Sequence, residues 1–206
     1  MKTPGVYIVE KSAFPNSVVE APTAIPAFIG ITEKAVNGAD SLSGKPWKIT
    51  SMTEFQQYFG GAPAPEFRLS VVDYPEKDAS KTFYGIPSPD KSKLLRVEAP
   101  EVTFSLYYQM VMFFANGGGT CYIVSAGTYD QKSLIDKEKV VAALTALKKE
   151  QEITMVLVPE AVSVDECKDI QTQVLAHCGE MMNRFAILDV QPKAKENEVM
   201  SEQIEI

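Results

Sequence analysis

The second half of the chain alternates between short apolar runs and longer segments with apolar residues at helical spacing. The runs 121–126, 154–158 and 185–190 have the length of strands, and the segments between them, 137–150 and 163–178, repeat apolar residues every three or four positions. Strand, helix, strand, helix and strand in this order is typical of βαβ crossovers, which place their strands in one parallel sheet. We therefore predict an α/β fold with a mostly parallel sheet.

The first half adds a further strand and two further helices to this prediction. Residues 25–31 are continuously apolar, which is typical of a strand buried on both faces of a sheet. Ser51 and Glu54 have the spacing of a capping box and predict a short helix that ends at Gly60. Residues 104–116 are apolar at nearly every position, which predicts a helix that is buried on most sides.

The last two helices are predicted from the same kinds of pattern. Ser163 and Glu166 have the spacing of a second capping box, which predicts the start of a helix with Leu175 on its apolar stripe. The helix in segment 137–150 has Val141 on its apolar stripe. Both helices are expected to cover the sheet with these stripes.

Changes in composition divide the chain into four parts. Prolines interrupt its beginning, prolines and charges accumulate in the middle, and the end is charged without a regular period. We predict an extended N-terminal arm, an α/β core interrupted by a small β-rich inserted lobe, and a tail or linker to a missing C-terminal domain. The boundaries are 1–22 for the arm, 23–61 and 101–190 for the core, 62–100 for the lobe with strands near 69–74 and 94–97, and 191–206 for the tail.

The overall charge excludes one large class of functions. The 206 residues carry 27 acidic and 20 basic side chains, a net charge of −7, and they contain no basic block that would neutralise phosphates. No apolar stretch approaches the roughly 20 residues of a membrane-spanning helix, and the start lacks the pattern of a signal peptide. We therefore expect neither nucleic acid nor a membrane as a partner, and synthesis in the cytoplasm.

The cysteines and the single histidine give no indication of a metal site or a disulfide framework. Cys121, Cys167 and Cys178 are odd in number and have no CxxC spacing. His177 is next to Cys178, but adjacent residues of a helix point about 100° apart, and Cys167 is about 15 Å away along the helix. The sequence predicts no metal ligand.

The glycine-rich segments do not have the arrangement of a phosphate-binding loop. Five residues separate Gly38 from Gly44 where a P-loop has four, and Pro46 occupies the position of the Ser or Thr that holds Mg²⁺. Glycines 117–119 follow a predicted helix, whereas phosphate loops precede one. Asp189 lies where an α/β enzyme could place a catalytic carboxylate, but no partner motif accompanies it. We predict no cofactor, no catalytic residue and no enzymatic activity.

Four segments of the chain, in this order, resemble segments of one known family. They are TPGVYIVE at 3–10, AIPAFIGITEK at 24–34, ITSMTEFQQYFGG at 49–61 and FFANGGGTCYIV at 113–124. The sequence resembles the sheath proteins of contractile phage tails and phage-tail-like contractile injection systems. The resemblance covers the N-terminal and middle part of that family, and nothing in this chain matches the family's C-terminal domain.

The resemblance implies a structural subunit without enzymatic activity. Such a subunit forms sixfold rings that stack into a helical cylinder around an inner tube, and the cylinder shortens to drive injection. The implied partners are neighbouring sheath subunits, the inner tail tube and baseplate proteins, and the implied location is the tail of a virion or phage-like particle. The alternatives are a related baseplate or tail-terminator component and, least favoured, an α/β enzyme.

The beginning of the chain is our candidate interaction site. Val6, Tyr7, Ile8, Val9 and Glu10 have the β-branched and aromatic composition of a strand, and a proline-containing linker separates them from the core. A strand on such a linker is suited to pair with the sheet of a neighbouring subunit through backbone hydrogen bonds. The alternative is that these residues pair within their own domain.

Overall fold

The computed structural model describes residues 23–64, 67–73, 85–90, 92–98, 104–129 and 134–191. The strands are β1 (Pro26–Thr32), β2 (Val36–Asn37), β3 (Asp40–Ser41), β4 (Trp47–Ile49), β5 (Arg68–Asp73), β6 (Gly85–Pro87), β7 (Lys93–Glu98), β8 (Cys121–Thr128), β9 (Met155–Leu157) and β10 (Phe185–Ile187). The helices are α1 (Met52–Phe59), α2 (Leu106–Ala115), α3 (Lys137–Leu147), the 3-10 helix Pro159–Ser163, and α4 (Cys167–Met181). The predicted arm, 1–22, and nearly all of the predicted tail lie outside the described residues.

Five strands form the central sheet in the order β10-β9-β1-β8-β4. β1 pairs in parallel with β8 and β9, and β9 pairs in parallel with β10. β4 is antiparallel to β8 and forms one edge. The predicted α/β fold with a mostly parallel sheet is therefore confirmed.

The central strand β1 is buried along its whole length, as its continuous apolar run predicts. Its side chains alternate between two separate cores. Ala27, Ile29 and Ile31 face a core that includes residues of α3 and α4, and Phe28 faces a second core that includes residues of α1 and α2. Helices therefore cover both faces of the sheet around β1.

Helix α1 begins and ends where the sequence predicts. The Ser51 hydroxyl accepts a hydrogen bond from Glu54 N (3.2 Å), and the Glu54 carboxylate accepts one from Thr50 N (2.6 Å). In an ordinary capping box the carboxylate accepts from the N–H of the cap residue itself. Here it accepts from Thr50, the residue before the cap Ser51. The helix ends at Gly60, whose φ of 89° favours glycine and which has no room for a Cβ beside the Glu33 side chain.

The prediction that α2 is buried on most sides is wrong. Leu106 and Met110 are fully buried, but Tyr108, Val111 and Met112 are 49%, 38% and 61% exposed. These three lie on the outer side of the helix, away from the sheet. The described part of the chain places no other element over them, so α2 is covered on its inner side only.

The second predicted capping box is also wrong. Ser163 ends the 3-10 helix instead, and α4 begins at Cys167 with Glu166 as an N-cap that makes no capping bond of its own. The Glu166 carboxylate instead accepts a hydrogen bond from Lys137 N (3.1 Å) at the start of α3.

Two residues predicted to lie on the apolar stripes of α4 and α3 are exposed rather than buried. Leu175 of α4 is 54% exposed, and Val141 of α3 is 38% exposed.

The last strand of the sheet is shorter than predicted, and a second sheet lies outside the core. The predicted run 185–190 forms a strand only over Phe185–Ile187, and Leu188 to Val190 continue without strand pairing. Within the predicted inserted lobe, β5 pairs antiparallel with β7, and β7 pairs antiparallel with β6. The two predicted strands of the lobe, 69–74 and 94–97, correspond to β5 and β7 and pair with each other.

Candidate functional site

The carboxyl end of β1 is where an α/β sheet ordinarily binds ligands. Ligands bind where the connections that follow neighbouring strands turn to opposite faces of the sheet. The chain leaves β1 toward α1 and leaves β8 and β9 toward α3 and α4, so this position lies beside β1. In this protein the position is filled by the side chain of Glu160, which follows β9 on the 3-10 helix and is only 3% exposed.

Glu160 accepts three hydrogen bonds from backbone N–H groups. Its Oε2 atom accepts from Ile31 N (2.8 Å), and its Oε1 atom accepts from Ser105 N (3.0 Å) and Leu106 N (3.2 Å). The last two N–H groups belong to the amino end of α2. Burial raises the pKa of Glu160 to about 7, while the three N–H donors favour the ionised form and oppose the rise.

The backbone of β1 is adapted to this carboxylate. The register between β1 and β8 shifts between Gly30 and Ile31, and the N–H of Ile31 is directed at Glu160. A Cβ on Gly30 would lie 3.0 Å from the Leu106 Cβ and 3.1 Å from the Glu160 Oε2. The absence of a side chain at Gly30 thus allows α2 and Glu160 to approach the strand. The amino end of α2, the kind of position that binds anions in many proteins, is occupied here by the protein's own carboxylate.

The hydroxyl groups next to this position bond one another. Thr32 Oγ1 and Ser125 Oγ are 2.6 Å apart, and both residues are buried. Their further partners among the described residues are the carbonyl oxygens of Lys34 and Gly127. Because neither hydroxyl contacts a histidine or carboxylate there, neither has the base that an activated serine or threonine nucleophile needs.

The three cysteines and the histidine are all buried, Cys121 in the core beside α1 and α2, and Cys167 and Cys178 in the core beside α3 and α4. Cys121, Cys167 and Cys178 are free thiols, and burial raises the pKa of Cys121 to about 12. His177 Nε2 lies 3.3 Å from a guanidinium nitrogen of Arg184, which can only donate, so Nε2 is the acceptor. Burial, and then the charge of Arg184, lower the pKa of His177. Within the ranges that the structure describes, no three His, Cys, Asp or Glu side chains are placed to hold a metal ion.

Asp189 does not lie at the position beside β1. It follows β10, at the edge of the sheet, and its side chain is exposed. Its carbonyl oxygen accepts a hydrogen bond from Gln171 Nε2 of α4 (2.6 Å). The residue therefore closes the end of β10 against α4, away from the buried Glu160.

Strand β10 forms an edge of the sheet whose outer side is unpaired in the described part of the chain. Phe185 N donates to Thr154 O (3.0 Å), and Phe185 and Ile187 pair with β9. Phe185 is 56% exposed and Ile187 is 44% exposed. This edge, which we call the β10 edge (residues 185–187), is the candidate interaction site that the structure adds.

The interaction residues predicted from the sequence, Val6, Tyr7, Ile8, Val9 and Glu10, all lie outside the described residues. The structure therefore does not bring them together with any surface. Sequence reasoning missed Glu160, for which the available signal was a carboxylate two residues after the apolar run of β9. It also missed the β10 edge, whose signal was an apolar strand at the end of the βαβ series, where no further strand is predicted to cover it.

No helix in the described part of the chain is long and apolar enough to cross a bilayer. A comparison with models of known protein families and a search of curated proteins found no match to this sequence.

Proposed function

We propose that this chain is a structural subunit of a contractile tail sheath. The observation that carries the proposal is the resemblance of four ordered segments to that family. Three of these segments contribute to one core in the structure. Phe28 of the second segment contacts Phe113 of the fourth (ring centroids 5.4 Å apart), and Phe55 of the third contacts Tyr107 of α2 (6.1 Å).

The filled position beside β1 supports a structural role over an enzymatic one. An α/β enzyme uses the carboxyl end of its sheet and the amino end of a helix to hold substrate or cofactor. Here Glu160 satisfies the N–H groups of Ser105 and Leu106 at that position. The proposed partners are therefore proteins: neighbouring sheath subunits, the inner tail tube and the baseplate, in the tail of a virion or phage-like particle.

The proposed connection between subunits is the strand formed by residues 6–10. Backbone hydrogen bonds from such a strand join two subunits, and the linker that follows allows them to move relative to each other. Ile8→Pro removes one N–H donor and restricts φ, so we expect tube assembly to be lost. The melting temperature of the domain stays unchanged, because the strand is donated elsewhere. A fall of several degrees would instead show that residues 6–10 pair within their own domain.

Immunogold electron microscopy of particles from the producing bacterium tests the sheath role directly. Antibodies raised against this chain are expected to label the tail along its whole length. Label confined to one end of the tail would identify a baseplate or tail-terminator component instead. Unlabelled tails, in a culture where the chain is detected by immunoblot, would overturn the proposal.

A further inference from the structure

A groove of about 130 Å³ lies between α3 and α4. Its apolar walls include Val141 and Leu144 of α3 and Ala176 of α4. Lys148, directly after α3, and Glu180 of α4 also line it, and their side chains are 40% and 60% exposed. A water molecule takes up about 30 Å³ of the liquid, so the groove has room for a group of a few non-hydrogen atoms.

His177 contributes a hydrogen-bond donor that has no acceptor. The residue lines the groove and is only 4% exposed. Its Nε2 atom accepts from Arg184 Nη1 (3.3 Å), so the proton of the neutral ring is on Nδ1. Nδ1 has no hydrogen-bond partner among the described residues. A buried donor of this kind costs free energy, which an acceptor bound in the groove would recover.

The guanidinium group beside this ring carries a buried charge without a carboxylate partner. Arg184 is 7% exposed, and it donates to the carbonyl oxygens of Leu147 (3.2 Å) and Glu150 (2.8 Å) and to Asn183 Oδ1 (3.0 Å). None of the ion pairs in the described part of the chain includes Arg184. Buried charges are ordinarily paired. The site therefore has an unbalanced positive charge on one side of His177 and an unused N–H group on the other.

We infer that the groove between α3 and α4 binds a carboxylate group carried on a short aliphatic chain. The carboxylate accepts the unused hydrogen bond of His177 Nδ1 and balances the charge of Arg184. The bond that Arg184 donates to Nε2 polarises the ring and makes Nδ1–H a stronger donor. The aliphatic part of the ligand packs against Val141 and Leu144. A neutral amide could accept the same hydrogen bond, but it would leave the guanidinium charge unbalanced.

The ion pair in the groove provides a way for the ligand to enter. Because the Nδ1 atom of His177 is buried, a ligand has to displace the side chains that cover it. Lys148 Nζ lies 2.7 Å from Glu180 Oε1, and both side chains are largely exposed. Exposed ion pairs contribute little to stability, so this one opens at low cost. Lys148 can then exchange the Glu180 carboxylate for that of the ligand.

Nuclear magnetic resonance of the histidine ring tests the inference at a single residue. His177 is the only histidine of the chain, so labelling with ¹⁵N-histidine gives the ring signals of this site alone. Without ligand we expect the form protonated on Nδ1. Sodium propionate should shift the Nδ1 signal in a saturable way, with a Kd on the order of 1 mM. Propionamide, which has nearly the same shape and no charge, should bind about tenfold more weakly, and sodium chloride controls for ionic strength.

Two neighbouring lysines provide matched variants. Lys148→Met should weaken propionate binding about threefold or more, because the ammonium group in the groove is lost. Lys149→Met removes the same charge at the next residue, which is exposed and does not line the groove, so the Kd should stay unchanged. Both variants should melt at nearly the temperature of the wild type. Equal weakening in the two variants would attribute the binding to overall charge and overturn the site.

Three other results would also overturn the inference: a ring protonated on Nε2 alone, a Nδ1 signal that propionate does not shift, or equal binding of propionamide. Spectra without propionate at low and high protein concentration distinguish two sources of the carboxylate. A concentration-dependent shift that propionate reverses identifies an Asp or Glu side chain of a second copy, and spectra independent of concentration identify a free acid. The immunogold experiment is independent of these spectra, so either proposal can fail alone.

Discussion

The two ends of the five-stranded sheet differ in how completely they are covered. At the end formed by β8 and β4, helix α1 packs Phe55 against the sheet, and the edge strand is protected by Pro46 and by Lys48, whose Nζ lies 2.6 Å from Glu152 Oε1. At the end formed by β9 and β10, the face toward α3 and α4 is covered, but on the other face Leu157 of β9 is only partly buried and Phe185 of β10 is exposed. Of the two edges, β10 is therefore the one that exposes more apolar surface in the described part of the chain.

Replacement of a phenylalanine by alanine should lower the free energy of unfolding much more at the β8 and β4 end of the sheet than at the β9 and β10 end, and this is the largest difference that we expect. Phe55 is 1% exposed, so Phe55→Ala should cost about 3–5 kcal/mol through lost burial and the remaining cavity. Phe185→Ala should change the free energy of unfolding of the isolated chain by less than about 0.5 kcal/mol. Chemical denaturation of both variants measures the difference. Similar losses would show that the β10 edge is covered within a single chain.

The next largest effect concerns Glu160, which joins the central strand β1 to the amino end of α2, between the two ends of the sheet. Its pKa in the folded protein, about 7, lies above the ordinary value of 4.5, so the folded state binds the proton more tightly. Stability should therefore fall as pH rises from about 4.5 to 7, by on the order of 2–3 kcal/mol.

The variant Glu160→Gln is expected to remove this pH dependence. It should also be less stable than the wild type, because its amide group cannot accept at both positions that face backbone N–H groups. Unfolding of both proteins between pH 4.5 and 7.5 provides the measurement. An unchanged slope in the variant would assign the pH dependence to other groups.

A smaller effect is expected where α2 approaches β1. Gly30→Ala places a Cβ 3.0 Å from Leu106 and should cost about 1–3 kcal/mol. Gly119→Ala is the matched control, because nothing lies within 4 Å of its added Cβ. Thermal unfolding of the two variants should separate them clearly. Equal melting temperatures would mean that α2 can move away from the strand without cost.

The smallest effect compares two serines with the same sequence spacing. Ser51 caps α1 at the covered end of the sheet, so Ser51→Ala should cost about 1 kcal/mol. Ser163 belongs to the 3-10 helix and does not cap α4, so Ser163→Ala should cost only a few tenths of that. Equal losses in denaturation experiments would indicate that Ser163 does stabilise the start of α4.

The elements that could be predicted from the sequence are those whose signal lies within a few consecutive residues. The strand β1 is recognisable because apolar residues on both faces require burial on both faces, and α1 because its cap and its terminal glycine lie within ten residues. The pattern Ser163 to Glu166 has the same local form, but Pro159 begins a 3-10 helix that includes Ser163, and Glu166 bonds Lys137 of another helix. Local spacing contains no information about such distant partners.

The exposure of apolar side chains and the role of Glu160 could not be predicted either, because both depend on residues that are distant in the chain. An apolar residue such as Met112 is buried only if another element covers it, and the sequence of α2 does not contain that information. Glu160 bonds Ile31, which is 129 positions away in the chain, and Ser105, which is 55 positions away. Its role follows from the arrangement of three elements in space, whereas its own neighbourhood resembles an ordinary turn after a strand.

The three hydrogen bonds of Glu160 have a mechanical consequence. They join β1, the amino end of α2 and the 3-10 helix at one buried carboxylate. Pulling any one of these elements away would leave a buried carboxylate short of donors, which costs several kcal/mol. Under load these three elements are therefore expected to move together. In the proposed sheath, a change of length would then place the strain on the connections between subunits, while these three elements keep their arrangement.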